Sequence, residues 1–273
     1  RALLFSSGYS ANLGVFSALR DEIDWVLQDK LNHASLIDGN RLIGLPVQRY
    51  LHNNLESLEK KLKKQTGTGL IVTDNVFSMD GDRANIDGIK TISAQSGALL
   101  MQDDAHGFGI FESTIPDHSI YMATLGKAAG VMGAFVSGSS DLIEFLIQKS
   151  RPYIYTTAIS PSMCVATLKS LELIKKGEQK EKLFSNINYF KNCAETLDLH
   201  FEPSESAIQP LIIGSSNKAL SLSNKLFEAG YFVSAIRPPT VPPNTARLRF
   251  TLSANHSFSQ IESLLQKVKD VMA

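Results

Sequence analysis

The sequence predicts an α/β protein: a large unit on a mainly parallel sheet, followed by a smaller C-terminal α+β unit. Three observations predict it. Short apolar runs opened by glycine, such as Gly69-Leu70-Ile71-Val72-Thr73-Asp74, lack the polar alternation of half-buried strands and read as strands covered on both faces. Helical periods fill the intervals between them. After Pro161 the rhythm changes to long charged helices separated by isolated strands.

In chain order, helical periods alternate with short apolar runs from Ser10 to about Leu62, and a strand follows over 69–74. A helix is expected over 86–96, then strands over 98–103, 120–124 and 133–137 and a helix over 140–150. Residues 162–176 read as a helix with Met163, Ala166, Leu168, Leu171 and Ile174 as its apolar surface. Gly177 interrupts it, and 178–199 reads as a second helix. A strand over 207–213, a helix over 217–229 stopped by Gly230, strands over 231–237 and 247–251, and a helix over 257–272 capped by Ser257 complete the chain. The expected domains are therefore 1–177 and 178–273.

The 273 residues carry 27 Lys and Arg against 27 Asp and Glu. A balanced charge argues against broad electrostatic attraction to nucleic acid or an anionic membrane. With 43% hydrophobic and 20% charged residues the chain is globular in composition. Cys164 and Cys193 have no metal-ligand spacing, so a reducing, cytoplasmic setting is expected. No apolar run is long enough to span a bilayer. The opening Arg1-Ala2-Leu3-Leu4-Phe5 reads as neither a signal nor a transit peptide, and as the middle of a domain.

In α/β sheets ligands bind at the carboxyl ends of strands, so polar residues there are the candidates. Lys127, in Thr124-Leu125-Gly126-Lys127-Ala128, follows a strand among small uncharged neighbours. Burial there would lower its amine pKa and favour imine formation with an aldehyde, against the alternative of an ordinary solvated lysine. A phosphate loop is excluded, because Ala128 follows the lysine and Tyr121 stands where glycine is required. Asp103 and His106, in Asp103-Asp104-Ala105-His106-Gly107, can face one ligand across a turn; a loop carboxylate with a structural histidine, or a metal site completed by His33, are the other readings.

Ser6-Ser7-Gly8-Tyr9-Ser10-Ala11-Asn12 is a glycine turn entering a helix, whose free N–H groups suit a phosphate. Arg247 and Arg249 share one strand face, as a surface ladder or as a fork for a substrate carboxylate. Lys60-Lys61-Leu62-Lys63-Lys64 reads as the wet face of a helix, with docking of an acidic carrier or a coenzyme A phosphate as the alternative.

An acid closing a strand, a histidine three residues on and a lysine after the next strand are far more specific together. With Leu31-Asn32-His33-Ala34-Ser35, Val76-Phe77-Ser78-Met79-Asp80-Gly81-Asp82 and Thr124-Leu125-Gly126-Lys127, the chain resembles the α-oxoamine synthases along its whole length. These are pyridoxal-phosphate (PLP) transferases of the aspartate-aminotransferase fold (fold type I). Ser206-Ala207-Ile208-Gln209-Pro210-Leu211 and Ile236-Arg237-Pro238-Pro239-Thr240-Val241-Pro242 favour the biotin-pathway branch over the glycine C-acetyltransferase, 5-aminolevulinate synthase and serine palmitoyltransferase branches.

The resemblance implies that Lys127 is the Schiff-base lysine and that Asp103 pairs with the pyridine nitrogen. It places His33 on the ring, Ser78 and His106 at its phenolic oxygen, and Gly8, Tyr9 and Thr124 at the phosphate. Thr156 and Thr157, in Tyr155-Thr156-Thr157, would complete the phosphate site of a neighbouring subunit, which implies a homodimer with a shared active site. Arg249 would hold the amino-acid carboxylate and Thr240 would lie near the acyl substrate, with His33 also facing the substrate.

The implied activity is decarboxylative condensation of L-alanine with a pimeloyl thioester, on coenzyme A or acyl carrier protein. A non-catalytic subunit of the same fold is disfavoured by retention of Lys127, and a metal hydrolase leaves that lysine unexplained. The family's N-terminal arm and the start of its large domain fall outside this sequence, and the stretch 107–120 is shorter than the family's.

Overall fold

The computed structural model describes residues 1–113, 115 and 119–272, and the chain divides into two compact units. The first comprises Arg1–Phe77 and Ala84–Lys175, the second Ser78–Arg83 and Lys176–Ala273.

The first unit contains β1 (Ala2–Phe5), α1 (Gly8–Leu19), β2 (Trp25–Asp29), α2 (Ala34–Ile43), β3 (Val47–Tyr50), α3 (Leu55–Leu62), β4 (Gly69–Asp74), α4 (Ile86–Ser96), β5 (Leu99–Asp103), β6 (Ser119–Thr124), β7 (Ala134–Ser137), α5 (Ser140–Lys149), α6 (Arg151–Ile154) and α7 (Pro161–Lys176). Its strands form one sheet in the order β1-β7-β6-β5-β4-β2-β3. β3, β2, β4, β5 and β6 pair in parallel; β7 is antiparallel to both β6 and β1. β1 therefore runs with the parallel strands, and only β7 runs against them. This direction brings the carboxyl ends of β1, β2, β4, β5 and β6 to one edge, where each is followed by a polar turn.

The core explains why the apolar runs lack alternation. Leu70, Val72, Met101, Ile120 and Met122 pack on one face with α1, α2 and α5. Ile71, Leu100, Leu27 and Trp25 pack on the other with Leu58 of α3 and Ile89 and Ile92 of α4. Successive strand residues thus reach two different apolar layers. Among the exposed lysines of the 60–64 run, Lys60, Lys63 and Lys64 lie outside the layer that Leu55, Leu58 and Leu62 enter, as the amphipathic reading of that helix expects.

The second unit contains α8 (Glu178–Thr196), β8 (Ile208–Gly214), α9 (Ser216–Glu228), β9 (Ser234–Ile236), β10 (Ala246–Thr251) and α10 (Phe258–Met272). Its three strands form an antiparallel sheet, β8-β10-β9. The short segment Ser78–Arg83 is fastened within this unit. Arg247, almost wholly buried, makes an ion pair with Asp80; Arg249 Nε donates to the Ser78 carbonyl at 2.6 Å; and Ser204 Oγ donates to the Gly81 carbonyl at 3.0 Å. Gly81 has φ +72, and a Cβ there would lie 2.5 Å from the Ile208 carbonyl oxygen, so the close approach requires glycine.

One expectation needs correction. The strand over 231–237 shrinks to Ser234–Ile236. Tyr231 is committed to ending α9, its N–H donating to the Leu226 carbonyl after Gly230 turns the chain at φ +89, and Arg237 already opens a turn by accepting from Thr240 N–H. The apolar surface of α7 is left uncovered: the helix has no buried residue, and Val165 and Leu168 are 67% and 63% exposed. Periodicity locates an apolar stripe but does not say that the same chain covers it. Among the described residues, no helix is long and apolar enough to cross a membrane.

Candidate active site

The turn after β1 leads into α1 through Ser7, whose hydroxyl accepts from Ser10 N–H in a reciprocal capping box. Gly8 follows as the first helical residue, and the first-turn N–H groups point out of the helix end. A Cβ on Gly8 would sit 2.5 Å from Thr124 Cγ2, at the end of β6. Thr124 Oγ1 is buried with no hydrogen-bond partner among the described residues. An orphaned hydroxyl beside the start of a helix is a donor set for an anion. The Tyr9 hydroxyl turns instead to Asp38, donating at 2.6 Å, so Tyr9 has its backbone to offer here.

β4 and β5 end on Asp74 and Asp103, which lie opposite each other in the parallel register. Both side chains are buried. Asp103 Oδ1 accepts from Ala105 N–H at 3.0 Å and Oδ2 from Asn12 Nδ2 at 2.8 Å. Asp74 Oδ2 accepts from His33 N–H at 2.8 Å. Burial pushes both carboxyls above the ordinary value, and the neighbouring Asp103 charge raises Asp74 further; the Asn12 and His33 donors and the Lys127 charge oppose the rise. Two buried acids side by side form a site that favours a cation.

His33 caps α2, and its Nδ1 lies 2.7 Å from Ser35 Oγ. Asn12 Nδ2 also donates to Ser35 Oγ, at 2.8 Å. One buried asparagine thus joins Asp103 to the residue that contacts His33. The next acid, Asp104, is buried and accepts from the Tyr121 hydroxyl at 2.6 Å and from Ser113 at 2.9 Å; burial raises its carboxyl. Asp104 also accepts Gly107 and Phe108 N–H at its carbonyl, which shapes the turn carrying half-buried His106.

Lys127 stands in the turn after β6, its carbonyl accepting from Gly130 N–H at 3.0 Å. It is exposed in the single chain, the alternative that its sequence context left open. Its charge nevertheless reaches both Asp74 and Asp103.

Thr156 and Thr157 are exposed and line a cleft of about 670 Å³ with β1, Tyr153 and Cys164. In the second unit, Ser78 and Arg249 are joined by the bond already described. Burial lowers the Arg249 pKa, Arg249 Nη1 donates to Thr251 Oγ1 at 3.1 Å, and Thr240 is exposed in the turn after β9. Among the described residues, no group of three or more His, Cys, Asp or Glu could hold a metal ion. Thr114 and residues 116–118 of the shortened 107–120 stretch lie outside the described residues.

Residues 1–268 match the family described as aminotransferase class I and II. The chain is 50% identical to the 8-amino-7-oxononanoate synthase of Pseudomonas entomophila (strain L48), across 99% of this chain and 72% of that protein. The chain belongs to the class I and II aminotransferase family, among the 8-amino-7-oxononanoate synthases. The resemblance and fold type drawn from the motifs are borne out. A solved 8-amino-7-oxononanoate synthase from Francisella tularensis is 33% identical with a TM-score of 0.83, over 99% of this chain and 82% of that one. A serine palmitoyltransferase variant solved with PLP is 28% identical with a TM-score of 0.90, over 99% and 72%.

Within this family member, sequence reasoning passed over Asn12, Ser35 and Asp74 as site residues. Asp74 carried the same signal as Asp103, an acid closing a buried run. Asn12 carried none, since its partners Ser35 and Asp103 come from distant segments, and Ser35 stood two residues from His33 without a pattern that marks it.

Proposed function

We propose that this chain catalyses the PLP-dependent decarboxylative condensation of L-alanine with a pimeloyl thioester, giving 8-amino-7-oxononanoate, CO2 and the free carrier thiol, a step of biotin biosynthesis. The observation that carries it is the carboxyl edge of the sheet. There a buried aspartate, a helix N-terminus beside an orphaned threonine hydroxyl, and a lysine within electrostatic reach occur together in a chain half identical to a synthase of that name. The residues fit PLP: Asp103 offers a buried carboxylate to a ring cation, and Gly8, Tyr9 and Thr124 offer donors to a phosphate. When bound, the cofactor supplies an electron sink that stabilises negative charge at the amino-acid α-carbon.

The remaining work falls to the chain's own groups. Asp103 would hold a proton at the pyridine nitrogen. His33 would face the ring and the substrate, while Ser78 and His106 would offer hydrogen bonds to the phenolic oxygen. The Lys127 amine would hold the cofactor and serve as general base for the α-proton of alanine. Arg249 orients the alanine carboxylate, and Thr240 lies by the acyl chain, carried on coenzyme A or on an acyl carrier protein. The exposed Thr156 and Thr157, and the uncovered apolar face of α7, support a homodimer in which each subunit completes the other's phosphate site. A cytoplasmic location suits this chemistry.

The test is the visible spectrum of the protein with PLP, titrated with L-alanine, glycine and L-serine. A lysine-bound cofactor band that responds preferentially to alanine, and that Lys127→Ala abolishes together with turnover, is the expected result. A stronger response to glycine or serine would overturn the substrate assignment. A band unchanged in Lys127→Ala, or no band at all, would overturn the cofactor assignment.

A further inference from the structure

Asn12 is 1% exposed, and its amide nitrogen is shared between two acceptors on different elements: Ser35 Oγ of α2 and Asp103 Oδ2 of β5, each at 2.8 Å. Its orientation is fixed by chemistry. Nδ2 lies within hydrogen-bond distance of both acceptors, so the two N–H groups of the amide face inward. The carbonyl Oδ1 is left buried without a partner among the described residues, so the fit of this side chain to its surroundings lies on the N–H side.

The consequence passes to His33. Ser35 Oγ accepts from Asn12, which leaves its own proton to donate to His33 Nδ1 at 2.7 Å. Ser35 N–H points at the same nitrogen, at 3.3 Å. A ring nitrogen receiving two donors is the acceptor of the pair, so the neutral ring carries its proton on Nε2. The backbone of His33 is meanwhile held by Asp74 Oδ2 at 2.8 Å.

We propose that Asn12 and Ser35 are positioning residues that form a relay from Asp103 to His33, holding the carboxylate on one side and setting the imidazole tautomer on the other. The inference rests on the reading above that Asp103 and His33 receive PLP. One asparagine then holds both the carboxylate that would meet the pyridine nitrogen and, through Ser35, the imidazole that would face the ring, so the two are set together rather than independently.

Histidine-ring 15N NMR tests the relay, with His33 assigned by the signal missing from His33→Gln. In the cofactor-free wild type, His33 should carry its proton on Nε2. Ser35→Ala should shift His33 toward a mixture of tautomers while PLP affinity stays within about threefold, because the Asp103 arm survives. Asn12→Leu should disturb the tautomer and also weaken PLP binding about tenfold or more, because the bond that holds Asp103 is lost. A residue that merely packs α1 against α2 would leave the ring nitrogen signals where they were.

Wild-type His33 signals in Ser35→Ala would overturn the relay. So would PLP affinity in Asn12→Leu equal to that of Ser35→Ala. If Asn12→Leu fails to fold by circular dichroism, Ser35→Ala decides the tautomer arm alone. Failure of the wild-type protein to bind PLP would sink the cofactor reading and the positioning role with it, and the cofactor-free tautomer measurement keeps that result distinct from failure of the hydrogen-bond relay.

Discussion

The ion pair between Arg247 and Asp80 is asymmetric, and the asymmetry makes a prediction. The Arg247 side chain is 6% exposed, whereas that of Asp80 is 31% exposed. Asp80→Ala strands a guanidinium in the interior of the second unit with its Nε bond to the Thr245 carbonyl at 3.2 Å. Stranding a buried charge costs about 3–5 kcal/mol. Arg247→Met keeps most of the stem volume and strands a carboxylate that water still reaches, which costs about 1–2 kcal/mol. Asp80→Ala should therefore be the more damaging by about 2 kcal/mol, and the double variant should cost less than the sum of the singles. Urea unfolding followed by far-UV circular dichroism measures this, with Trp25 fluorescence as a separate report on the first unit. Equal costs, or a larger cost for Arg247→Met, would refute the argument that differential burial sets the energetics of this pair. The pair fastens the segment that carries Ser78.

Two further predictions concern the site. Gly8→Ala places a methyl 2.5 Å from Thr124 Cγ2; phosphate-dependent PLP affinity should fall about tenfold by fluorescence titration while PLP without its phosphate is affected little. The Asp74 and Asp103 carboxyls, raised by burial from an ordinary 3.8, hold protons in the folded state that the unfolded chain has released. Cofactor-free protein should therefore lose stability as pH rises from about 4 toward the raised folded values. Asp74→Asn removes one such group and relieves its neighbour, so its melting temperature should fall less over the same range.

Much of the first unit was legible because each layer left a local trace. Residues 69–74 form a strand as expected, since both faces of that run enter apolar layers. Asp103 was legible as the acid that closes such a run. The length of β9 was not, because Tyr231 is drawn into the cap of α9 by a bond that strand propensity does not register. The attachment of Ser78–Arg83 to the second unit was also hidden. It depends on Arg247, Arg249 and Ser204, all more than a hundred residues downstream. The Asn12–Asp103 bond spans 91 residues, and neither residue's neighbours announce it.

The buried acids also explain why the site and the fold are energetically linked. Asp74 and Asp103 face each other across two paired strands, and burial opposes ionisation of both. A design for stability alone would place apolar groups there, since buried charges are often neutral or unfavourable compared with packed hydrocarbon. The chain instead satisfies the two acids with two donors from other segments, Asn12 and the His33 backbone, and with the Ala105 backbone of the turn that follows Asp103. Those donors favour the ionised form without neutralising it, as does the charge of exposed Lys127. A cation held against Asp103 lowers the free energy of the folded state and not of the unfolded chain, so its binding contributes to stability by mass action. A pair of acids that burial penalises in the empty fold is therefore also the pair that suits a cationic ligand.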